Sequence, residues 1–467
     1  MLTYDIENHG NVPLYEYIYI KIKEDILSGR IKPGEKLPSK RALAQNLRVS
    51  VITVESAYAQ LSLEGYIHPV QKRGYFVCKI KKLAPPPPSK MYKPIPRPAD
   101  GRRLLDISTN SVTPEKFPFS VWAKLMRSVL PEYEDRLLQK IPNTGIYELR
   151  LAIAEHLYHF KGMDVSEDNI IIGAGTDYLY NILIQLFGKD KIYAIENPGH
   201  KNISHIYNSN GIKYNCIELD NNGMSADALK QSDSQIVHIS PSHHYPTGIT
   251  MPIARRHELL SWANLDSNRY IIEDDYDSEF RFTGRPVPSM QSISPDDKVI
   301  YINTFSKTLT PAIRISYMIL PRSLMEKYKE KLGFYSCSVS AFEQFTLAKF
   351  ISLGFFEKHI NRMKNYYKTQ RDYIIDSIKN SGLDNIKISE KDSGLHFLLH
   401  VDTELTDAQF KALLDTAGIR ALMLSDYCTD PHPADSHTII INYSGIDHTD
   451  FRSALLKLTD LIKTGSF

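Results

Sequence analysis

The chain has 467 residues, of which 42% are apolar and 24% are charged, a composition typical of folded globular proteins. This composition excludes a wholly disordered, a collagen-like or a coiled-coil chain, and the length corresponds to about three domain-sized units, or to one large domain with a small one. The formal net charge of +2 predicts no binding partner for the chain as a whole.

The cysteines and the apolar runs indicate the compartment. The four cysteines are far apart and none forms a CxxC pair, so the sequence indicates neither a disulfide framework nor a zinc ribbon. The first ten residues include acidic side chains where a secretion signal would have a basic and then an apolar run. Because no apolar stretch approaches the roughly 20 residues that a membrane helix needs, we expect a soluble, cytoplasmic protein that does not enter a membrane.

Charge is distributed unevenly along the chain. Residues 1–82 contain 13 Lys or Arg and 8 Asp or Glu, a net charge of +5, which leaves a net charge of −3 on the remaining residues. A small basic head on a mildly acidic body favours a polyanionic partner for the head alone.

The head has the pattern of a winged helix-turn-helix. In PLYEYIYIKIKEDILSG, apolar residues recur every four positions, which predicts a first helix that Gly29 ends. Ser39 is placed to cap a second helix, KRALAQNL, and Ser50 is placed to cap a third, VITVESAYAQLSLEG. The alternating segment YIHPVQKRGYFV predicts a hairpin with the basic sequence KRG at its tip.

Two short helices joined by a tight turn allow the second helix to lie in the major groove of DNA, and a basic hairpin can contact phosphate or the minor groove. The stretch LPSKRALAQNLRVSVITVESAYAQLSLEGYIHPVQKRGYFV closely resembles the GntR family of bacterial regulators, whose pattern runs LPS-x-R-x-LA, VS-x-x-TV-x-x-AY-x-x-L, EG and G-x-[FY]-V. The resemblance covers nearly the whole head. It implies DNA contacts by Ser39, Arg41, Ser50, Thr53, Lys72 and Arg73.

The head departs from its relatives at two positions. Val51 stands where many relatives have Arg, and Arg48 stands where relatives usually have Gly. An operator sequence therefore cannot be transferred from a relative. The alternative interpretation is a helical head that mediates only protein contacts.

A proline-rich segment follows the head. Seven of the 16 residues from Leu83 to Pro98 are proline. Because proline fixes φ and removes a backbone donor, we predict an extended polyproline II spacer; a proline-rich binding motif is the alternative. The spacer divides the chain into a DNA-binding domain at 1–82, a linker at 83–103 and a body at 104–467.

From Asp106 onward, short apolar runs alternate with helical patterns, which predicts βα units around a mostly parallel sheet. The strand NIIIGAG precedes the helix TDYLYNILIQLFG, so Gly175 and Thr176 lie at a helix N-terminus, which favours a phosphate. The segments RYIIEDDYDSEF, HISPSHHYPTGITMP and KVIYINTFSKTLTPAIRISYMIL each place polar residues after an apolar strand. Such sheets bind ligands outside the carboxyl ends of their strands.

Taken together, these segments meet the requirements of one cofactor, pyridoxal 5′-phosphate. It needs an amine for a Schiff base, a carboxylate on its pyridine nitrogen, a donor to its phenolic oxygen and a cradle for its phosphate. An arginine provides a planar pair of donors to phosphate. The predicted assignments are Lys307 for the amine, Asp274 for the carboxylate, Tyr276 for the donor, and Gly175, Thr176, Ser306 and Arg314 around the phosphate; Thr304 is also predicted to bind the cofactor.

Metal sites are the alternatives for the same segments. Asp274 lies between Glu273 and Asp275 in an acidic cluster, but no histidine accompanies this cluster at ligand spacing. His243 and His244 are adjacent, and adjacent side chains on an extended strand point to opposite faces. We therefore predict the pyridoxal site and no metal site.

Most of the body resembles the fold-type I aminotransferases. NTFSKTLTPAIRISYMILP is similar to their lysine segment, PTG to their Asn-Pro-Thr-Gly loop and IPNTGIYELRLAIAEHL to their Gly-x-x-x-Leu-Arg segment. The resemblance implies an α/β domain with a mostly parallel sheet and a small C-terminal α+β subdomain from about residue 330. Tyr245 stands where aminotransferases have Asn, and the strand HTIIINYSGI contains no arginine for a substrate carboxylate. We therefore expect no productive transamination.

A GntR-type head joined by a proline-rich linker to an aminotransferase-like body is the arrangement of the MocR family of transcriptional regulators, and this resemblance covers essentially the entire chain. EDDYDSEFR, FPFSVW and ENPGH are similar to further signatures of that family. Membership implies double-stranded operator DNA as a partner, pyridoxal 5′-phosphate on Lys307, and a homodimer in which the head of one subunit packs near the body of the other. It also implies that His200 and Tyr245 lie beside the cofactor and that Lys201 and Asn202 contact an effector.

The predicted function is an effector-gated transcriptional regulator. Either an amine or amino-acid effector displaces Lys307 and forms an external aldimine, or pyridoxal phosphate itself, or another B6 vitamer, is the signal. A ligand shifts the DNA-binding conformation only by its differential affinity for the two states. The alternative is an active aminotransferase with a vestigial DNA-binding head.

Overall fold

In a computed structural model of the chain, the structure describes residues 2–10, 12–80, 105–110, 114–284, 287–294, 297–382, 386–392, 394–429 and 437–464. The chain divides into two compact units, Met1–Ala99 and Asp100–Phe467. The predicted linker at 83–103 lies outside the described residues.

The first unit is a three-helix bundle with an antiparallel hairpin, as predicted. Its elements are α1 (Leu14–Ser28), α2 (Lys40–Leu47), α3 (Val51–Leu63), β1 (Ile67–Val70) and β2 (Gly74–Val77). The hydroxyls of Ser39 and Ser50 accept the backbone N–H groups of Ala42 and Thr53 at 3.2 and 3.1 Å, so each serine caps its helix. Gly29, at φ 85°, ends α1. The winged helix-turn-helix prediction is confirmed.

The hairpin β1–β2, the wing of the head, is held against the segment before α2. The backbone N–H of Leu37 donates to the carbonyl of Tyr75 at 2.9 Å, and the ring of Tyr75 packs edge-on against Tyr58 with centroids 5.1 Å apart. Tyr58 is fully buried, and its hydroxyl donates to the carbonyl of Pro38. The orientation of the wing relative to α2 and α3 is therefore fixed by packing and by backbone bonds.

The second unit alternates helices and strands. Its first elements, in chain order, are β3 (Leu105–Asp106), α4 (Phe119–Glu132), α5 (Glu134–Leu137), α6 (Tyr147–Lys161), β4 (Ile170–Gly173), α7 (Thr176–Phe187), β5 (Tyr193–Asn197), α8 (Lys201–Ser209), β6 (Tyr214–Asp220), β7 (Gly223–Met224), α9 (Ala226–Gln231), β8 (Ile236–Ile239), α10 (Ile253–Asn264), β9 (Tyr270–Asp274), α11 (Met290–Ile293), β10 (Val299–Thr304), α12 (Phe305–Thr308), β11 (Ser316–Ile319), α13 (Arg322–Leu332) and α14 (Ala341–Ser352).

Across the described ranges, eight strands form one sheet in the order β4-β11-β10-β9-β8-β5-β6-β7. Strands β10, β9, β8, β5 and β6 are mutually parallel, whereas β11 is antiparallel to both of its neighbours. Strands such as β10 are buried along their whole length, which explains why they are near-continuous apolar runs. In the register of the sheet, Asp274 pairs with Ile302 and Ile239 pairs with Glu273, so the carboxyl ends of β8, β9 and β10 meet at one edge.

The C-terminal elements form a smaller α+β subdomain. They are α15 (Phe355–Lys379), β12 (Ile386–Ser389), β13 (His396–Val401), α16 (Asp407–Thr416), β14 (Ile419–Arg420), β15 (Leu422–Met423), β16 (Thr438–Asn442) and α17 (His448–Thr464). An antiparallel sheet has the order β12-β13-β16-β15, and β14 pairs in parallel with β3. The predicted fold class, a winged helix-turn-helix followed by a fold-type I aminotransferase-like domain, is confirmed.

Among the residues that the structure describes, none of the helices combines the length and the apolar character that crossing a membrane requires.

Candidate cofactor pocket and nucleic-acid interface

Lys307 lies in α12, the short helix that directly follows β10 at the carboxyl edge of the sheet. Its side chain is half-buried, and burial lowers the pKa of its amine, while the nearby carboxylates of Asp277 and Asp274 act in the opposite direction. A lowered pKa increases the neutral fraction of the amine, and the neutral amine is the nucleophile that attacks a carbonyl carbon. Lys307 therefore combines a position at the carboxyl edge of the sheet with a lowered pKa.

Asp274, the last residue of β9, is buried and has one carboxylate oxygen engaged and one free. Its Oδ2 accepts a hydrogen bond of 2.5 Å from the Tyr180 hydroxyl and lies 3.8 Å from Nε2 of His238. Within the described part of the chain, its Oδ1 has no hydrogen-bond partner. A buried oxygen of this kind costs free energy unless a donor reaches it, so the geometry fits a ligand with an N–H group at this point.

Tyr276 lies two residues beyond Asp274. Its hydroxyl lies 3.2 Å from Nδ1 of His243, which is also 3.0 Å from Oδ2 of Asp277. Burial and the charge of Asp277 raise the pKa of Tyr276 well above its ordinary value. The phenol therefore keeps its proton at neutral pH and can donate a hydrogen bond to a ligand oxygen.

The N-terminus of α7 and the side chain of Arg314, which were predicted to hold a phosphate, lie together in the structure. Gly175 caps α7 with φ 93°, and a Cβ atom at this position would overlap with the guanidinium group of Arg314. Arg314 also pairs with Asp177 in the first turn of α7 at 3.2 Å. Thr176 begins the helix, whose free N–H groups and dipole favour an anion.

Thr304 and Ser306 set the position of Lys307. The backbone N–H of Ser306 donates to Oγ1 of Thr304 at 3.1 Å, and the hydroxyl of Ser316 on β11 donates to the same oxygen at 2.8 Å. Thr304 is buried and caps α12, so its hydroxyl is engaged within the protein. These bonds fix the start of the helix that carries Lys307.

His200 and Tyr245, which were predicted to lie beside the cofactor, are close to each other. The rings of His200 and Tyr245 have centroids 5.6 Å apart, and the hydroxyl of Tyr245 lies 2.7 Å from that of Tyr427. Lys201 and Asn202, the first residues of α8, are exposed, and the backbone N–H of Asn202 donates to Nδ1 of His200. The structure thus brings the two predicted effector residues next to His200.

The adjacent carboxylates of the predicted acidic cluster have separate partners. Glu273 accepts backbone N–H groups at the start of α11, at 2.8 and 3.0 Å. Asp275 forms a fully buried ion pair with Lys161 and accepts a hydrogen bond of 2.5 Å from the Tyr301 hydroxyl. In the described segments, no three His, Cys, Asp or Glu side chains are arranged to hold a metal ion.

The two adjacent histidines also have separate partners. His243 pairs with Asp277, whereas Nδ1 of His244 lies 2.7 Å from the hydroxyl of Thr247 and its Nε2 lies 3.4 Å from Oε2 of Glu196. Burial lowers the pKa of His244 to about 3 and raises that of Glu196 to about 8. At neutral pH this buried pair therefore carries no net charge, which is its least costly state in an apolar environment.

Sequence reasoning missed the residues that support Asp274. His238 is buried in β8 and its Nδ1 lies 2.9 Å from the hydroxyl of Tyr207, so a chain of contacts links Tyr207, His238, Asp274 and Tyr180. The available signal was a histidine inside the otherwise apolar strand IVHI, because a polar side chain buried in a sheet needs a partner.

In the first unit, the predicted cationic contacts are exposed. Arg41 lies on α2, and Lys72 and Arg73 lie at the tip of the wing. Lys36, which is not among the predicted contacts, is also exposed, and its side chain runs beside Gly74 of the wing. The oxygens of Ser50 and Thr53 lie 2.7 Å apart, so these two predicted contacts bond to each other.

A winged helix-turn-helix and an aminotransferase fold in one chain define a class of DNA-binding proteins that carry an aminotransferase-like domain. Residues 14–77 match the family described as "Bacterial regulatory proteins, gntR family", and residues 103–458 match "Aminotransferase class I and II". The chain belongs to the MocR family of transcriptional regulators, in which these two domains are fused.

Individual relatives match along nearly the whole chain. The HTH-type transcriptional regulator YdeL of Bacillus subtilis is 36% identical, over 96% of this chain and 96% of its own. The probable rhizopine catabolism regulatory protein MocR of Rhizobium meliloti is 29% identical, over 97% of this chain and 94% of its own.

A solved structure of Pyrococcus horikoshii kynurenine aminotransferase superposes with a TM-score of 0.68 at 22% identity, covering 79% of this chain and 92% of that one. This similarity shows the fold of the second unit.

Proposed function

We propose that this regulator holds pyridoxal 5′-phosphate at Lys307 and that its affinity for operator DNA is set by the state of that pocket. A small amine, an amino acid or a B6 vitamer would be the effector. The observation that carries the proposal is the convergence, at one edge of the sheet, of a half-buried amine, a buried carboxylate oxygen that has no partner among the described residues, and an arginine beside a helix N-terminus.

The residues of the pocket fit each part of the cofactor. Oδ1 of Asp274 would accept a hydrogen bond from the protonated pyridine nitrogen, the hydroxyl of Tyr276 would donate to the phenolic oxygen, and Arg314 with the N–H groups of α7 would hold the phosphate. When bound, pyridoxal phosphate supplies an aldehyde that reacts with amines and a ring that accepts electrons.

Two features support a regulator rather than a working aminotransferase. Strand β16 reads TIIIN and offers no arginine to a substrate carboxylate. The hydroxyl of Tyr245, at the position where aminotransferases have Asn, bonds to Tyr427. An effector that binds more tightly to one conformation would shift the regulator toward that conformation by its differential affinity.

Exposed apolar side chains on the second unit support a homodimer. Phe119 begins α4, Phe342 lies on α14, which packs against α4, and Leu138 follows α5; these side chains are 62%, 42% and 87% exposed. Phe119 and Phe342 lie on helices that pack against each other, and a contiguous apolar patch is typical of contact sites between proteins. We propose a cytoplasmic dimer with the head of one subunit near the body of the other, and light scattering of the full chain tests its mass.

The central experiment measures DNA affinity of the full-length protein with its pocket in different states. Duplexes that the protein selects from a random pool would be titrated by fluorescence anisotropy without cofactor, with pyridoxal phosphate, and with pyridoxal phosphate plus each member of a panel of amines. We expect at least one addition to change the affinity. An unchanged affinity in every condition contradicts the proposal, and steady production of a keto acid from an amino donor identifies the enzyme alternative.

The proposed phosphate contacts predict the salt dependence of binding. Arg41→Ala and Lys72→Ala should each weaken binding to all duplexes and should reduce the slope of log K against log salt by about one unit. Lys21→Ala is a matched control, because it removes the same charge from α1, where Lys21 pairs with Glu24. If the slopes of both test variants equal that of the control, these residues do not contact phosphate.

The assignment of Asp274 predicts a loss of cofactor affinity. Asp274→Asn keeps the shape of the side chain but removes the charge that holds the pyridine proton, and a hydrogen bond to a charged group contributes about 1.5–3 kcal/mol. We expect retention of pyridoxal phosphate in equilibrium dialysis to fall about tenfold or more. Asp227→Asn, at an exposed position of α9, should retain the cofactor. Equal retention by the two variants would remove Asp274 from this role.

A further inference from the structure

The first turn of α3 presents apolar side chains to solvent. Val51 is 42% exposed and Ile52 is 74% exposed, although both are β-branched apolar residues. The helix, VITVESAYAQLSL, contains no Lys or Arg, and Glu55 is its single charged residue. The helix therefore lacks cations and exposes apolar side chains at its start. Both features depend on what this helix contacts when the head binds DNA.

The polar side chains around this turn are already engaged within the head. Oγ of Ser50 accepts the backbone N–H of Thr53 and lies 2.7 Å from its hydroxyl. The carboxylate of Glu55 accepts a hydrogen bond of 2.5 Å from Nζ of Lys40 on α2. The remaining side chains of the first turn are those of Val51 and Ile52. They are exposed, and because they are apolar they form no hydrogen bonds within the head.

A helix-turn-helix places the N-terminal residues of its second helix against base edges in the major groove. The apolar feature of that groove is the C5-methyl group of thymine, whereas guanine is read by a bidentate Arg or Lys. Since α3 offers apolar groups and no cation, its chemistry matches thymine.

We propose that Val51 and Ile52 determine sequence specificity by contacting the C5-methyl groups of thymines in the operator. This inference rests on the proposed function, in which the head binds operator DNA. The exposed cations Lys36, Arg41 and Lys72 contact phosphates, which gives affinity without sequence information. Affinity and specificity thus reside in different side chains of the head.

The test uses the full-length protein and a random pool of DNA duplexes, from which bound sequences are selected and sequenced. Each thymine that the wild-type protein selects is then replaced by deoxyuridine, which removes only the methyl group. We expect affinity to fall about fourfold for each contacted methyl group, with the salt dependence of binding unchanged.

The variants Val51→Ser and Ile52→Ser are expected to lose the distinction between thymine and deoxyuridine, each at its own position. Leu63→Ser is the matched control: Leu63 lies at the other end of the same helix and is 82% exposed, so the variant makes a similar change without touching the first turn. Substitutions at such exposed positions change stability by less than about 0.5 kcal/mol, and thermal unfolding checks this for each variant.

The outcomes separate this inference from the proposed function. Wild-type protein that binds thymine and deoxyuridine duplexes equally overturns the inference, and so do serine variants that both keep the wild-type discrimination at every thymine. In either case the head still selects DNA and the proposed function stands. A wild-type protein that enriches no sequence from the pool overturns both proposals together.

Discussion

Replacing Lys307 by alanine should leave the full-length protein without covalently attached pyridoxal phosphate. Lys307 lies at the carboxyl edge of the sheet with Asp274 and Asp277 close enough to influence its amine, and burial lowers its pKa. A surface lysine remains almost fully protonated at neutral pH and competes poorly for an aldehyde. The effect is therefore expected to be a complete loss of the visible absorbance that the cofactor gains on joining a protein amine.

The measurement is the absorbance spectrum after removal of free cofactor, followed by borohydride reduction and peptide mapping. Lys331→Ala, on the exposed side of α13, is the control and should keep both the spectrum and the modified peptide. A Lys307→Ala protein that keeps the wild-type spectrum would show that another lysine carries the cofactor. The variant should still bind DNA, because its head is unchanged, but its DNA affinity should no longer respond to amines.

Replacing Gly175 by alanine should reduce the affinity for pyridoxal phosphate about 100-fold without unfolding the body. A Cβ atom at this position would overlap with the guanidinium group of Arg314, so the arginine must leave the N-terminus of α7. Charge-assisted hydrogen bonds to phosphate contribute about 1.5–3 kcal/mol each. Moving the arginine away therefore removes the charge-assisted hydrogen bonds proposed to hold the phosphate.

Gly188 provides a matched control at the other end of the same helix. Its φ and ψ of 90° and 168° nearly equal the 93° and 163° of Gly175, so an alanine imposes the same backbone strain at both positions. A Cβ atom at Gly188 would meet nothing within 4 Å. The two alanine variants should be destabilised to the same extent in thermal unfolding, but only Gly175→Ala should lose cofactor in equilibrium dialysis. Equal cofactor affinities would place the phosphate elsewhere.

Much of the secondary structure and several positions of the candidate site could be predicted from the sequence, because they depend on local chemistry. Helix capping and termination involve residues within a few positions of each other, which is why Ser39, Ser50 and Gly29 correctly placed the boundaries of the helices in the head. The buried strands of the body are continuous apolar runs, so the strands could also be predicted from the sequence. The polar residues that follow those runs, Asp274 and Lys307 among them, were therefore assigned to the carboxyl edge of the sheet, and the structure places them there.

Contacts between residues distant in sequence were decided by the tertiary structure alone. The register of β8, β9 and β10, and the packing of α7 on them, bring His238 and Tyr180 to Asp274, and no local pattern encodes those distances. Helix α6 brings Lys161 to Asp275, so Asp274 and Asp275, which are neighbours in the chain, have different partners.

In the head, the sequence by itself determined that α3 is a helix and that it carries no cation. Which of its apolar residues would be buried depended on how α1 and the wing pack against it. That packing covers Val54 and leaves Ile52 exposed. The sequence determined the elements and their chemical groups because these depend on neighbours along the chain, whereas partners and exposure depend on which surfaces meet in three dimensions.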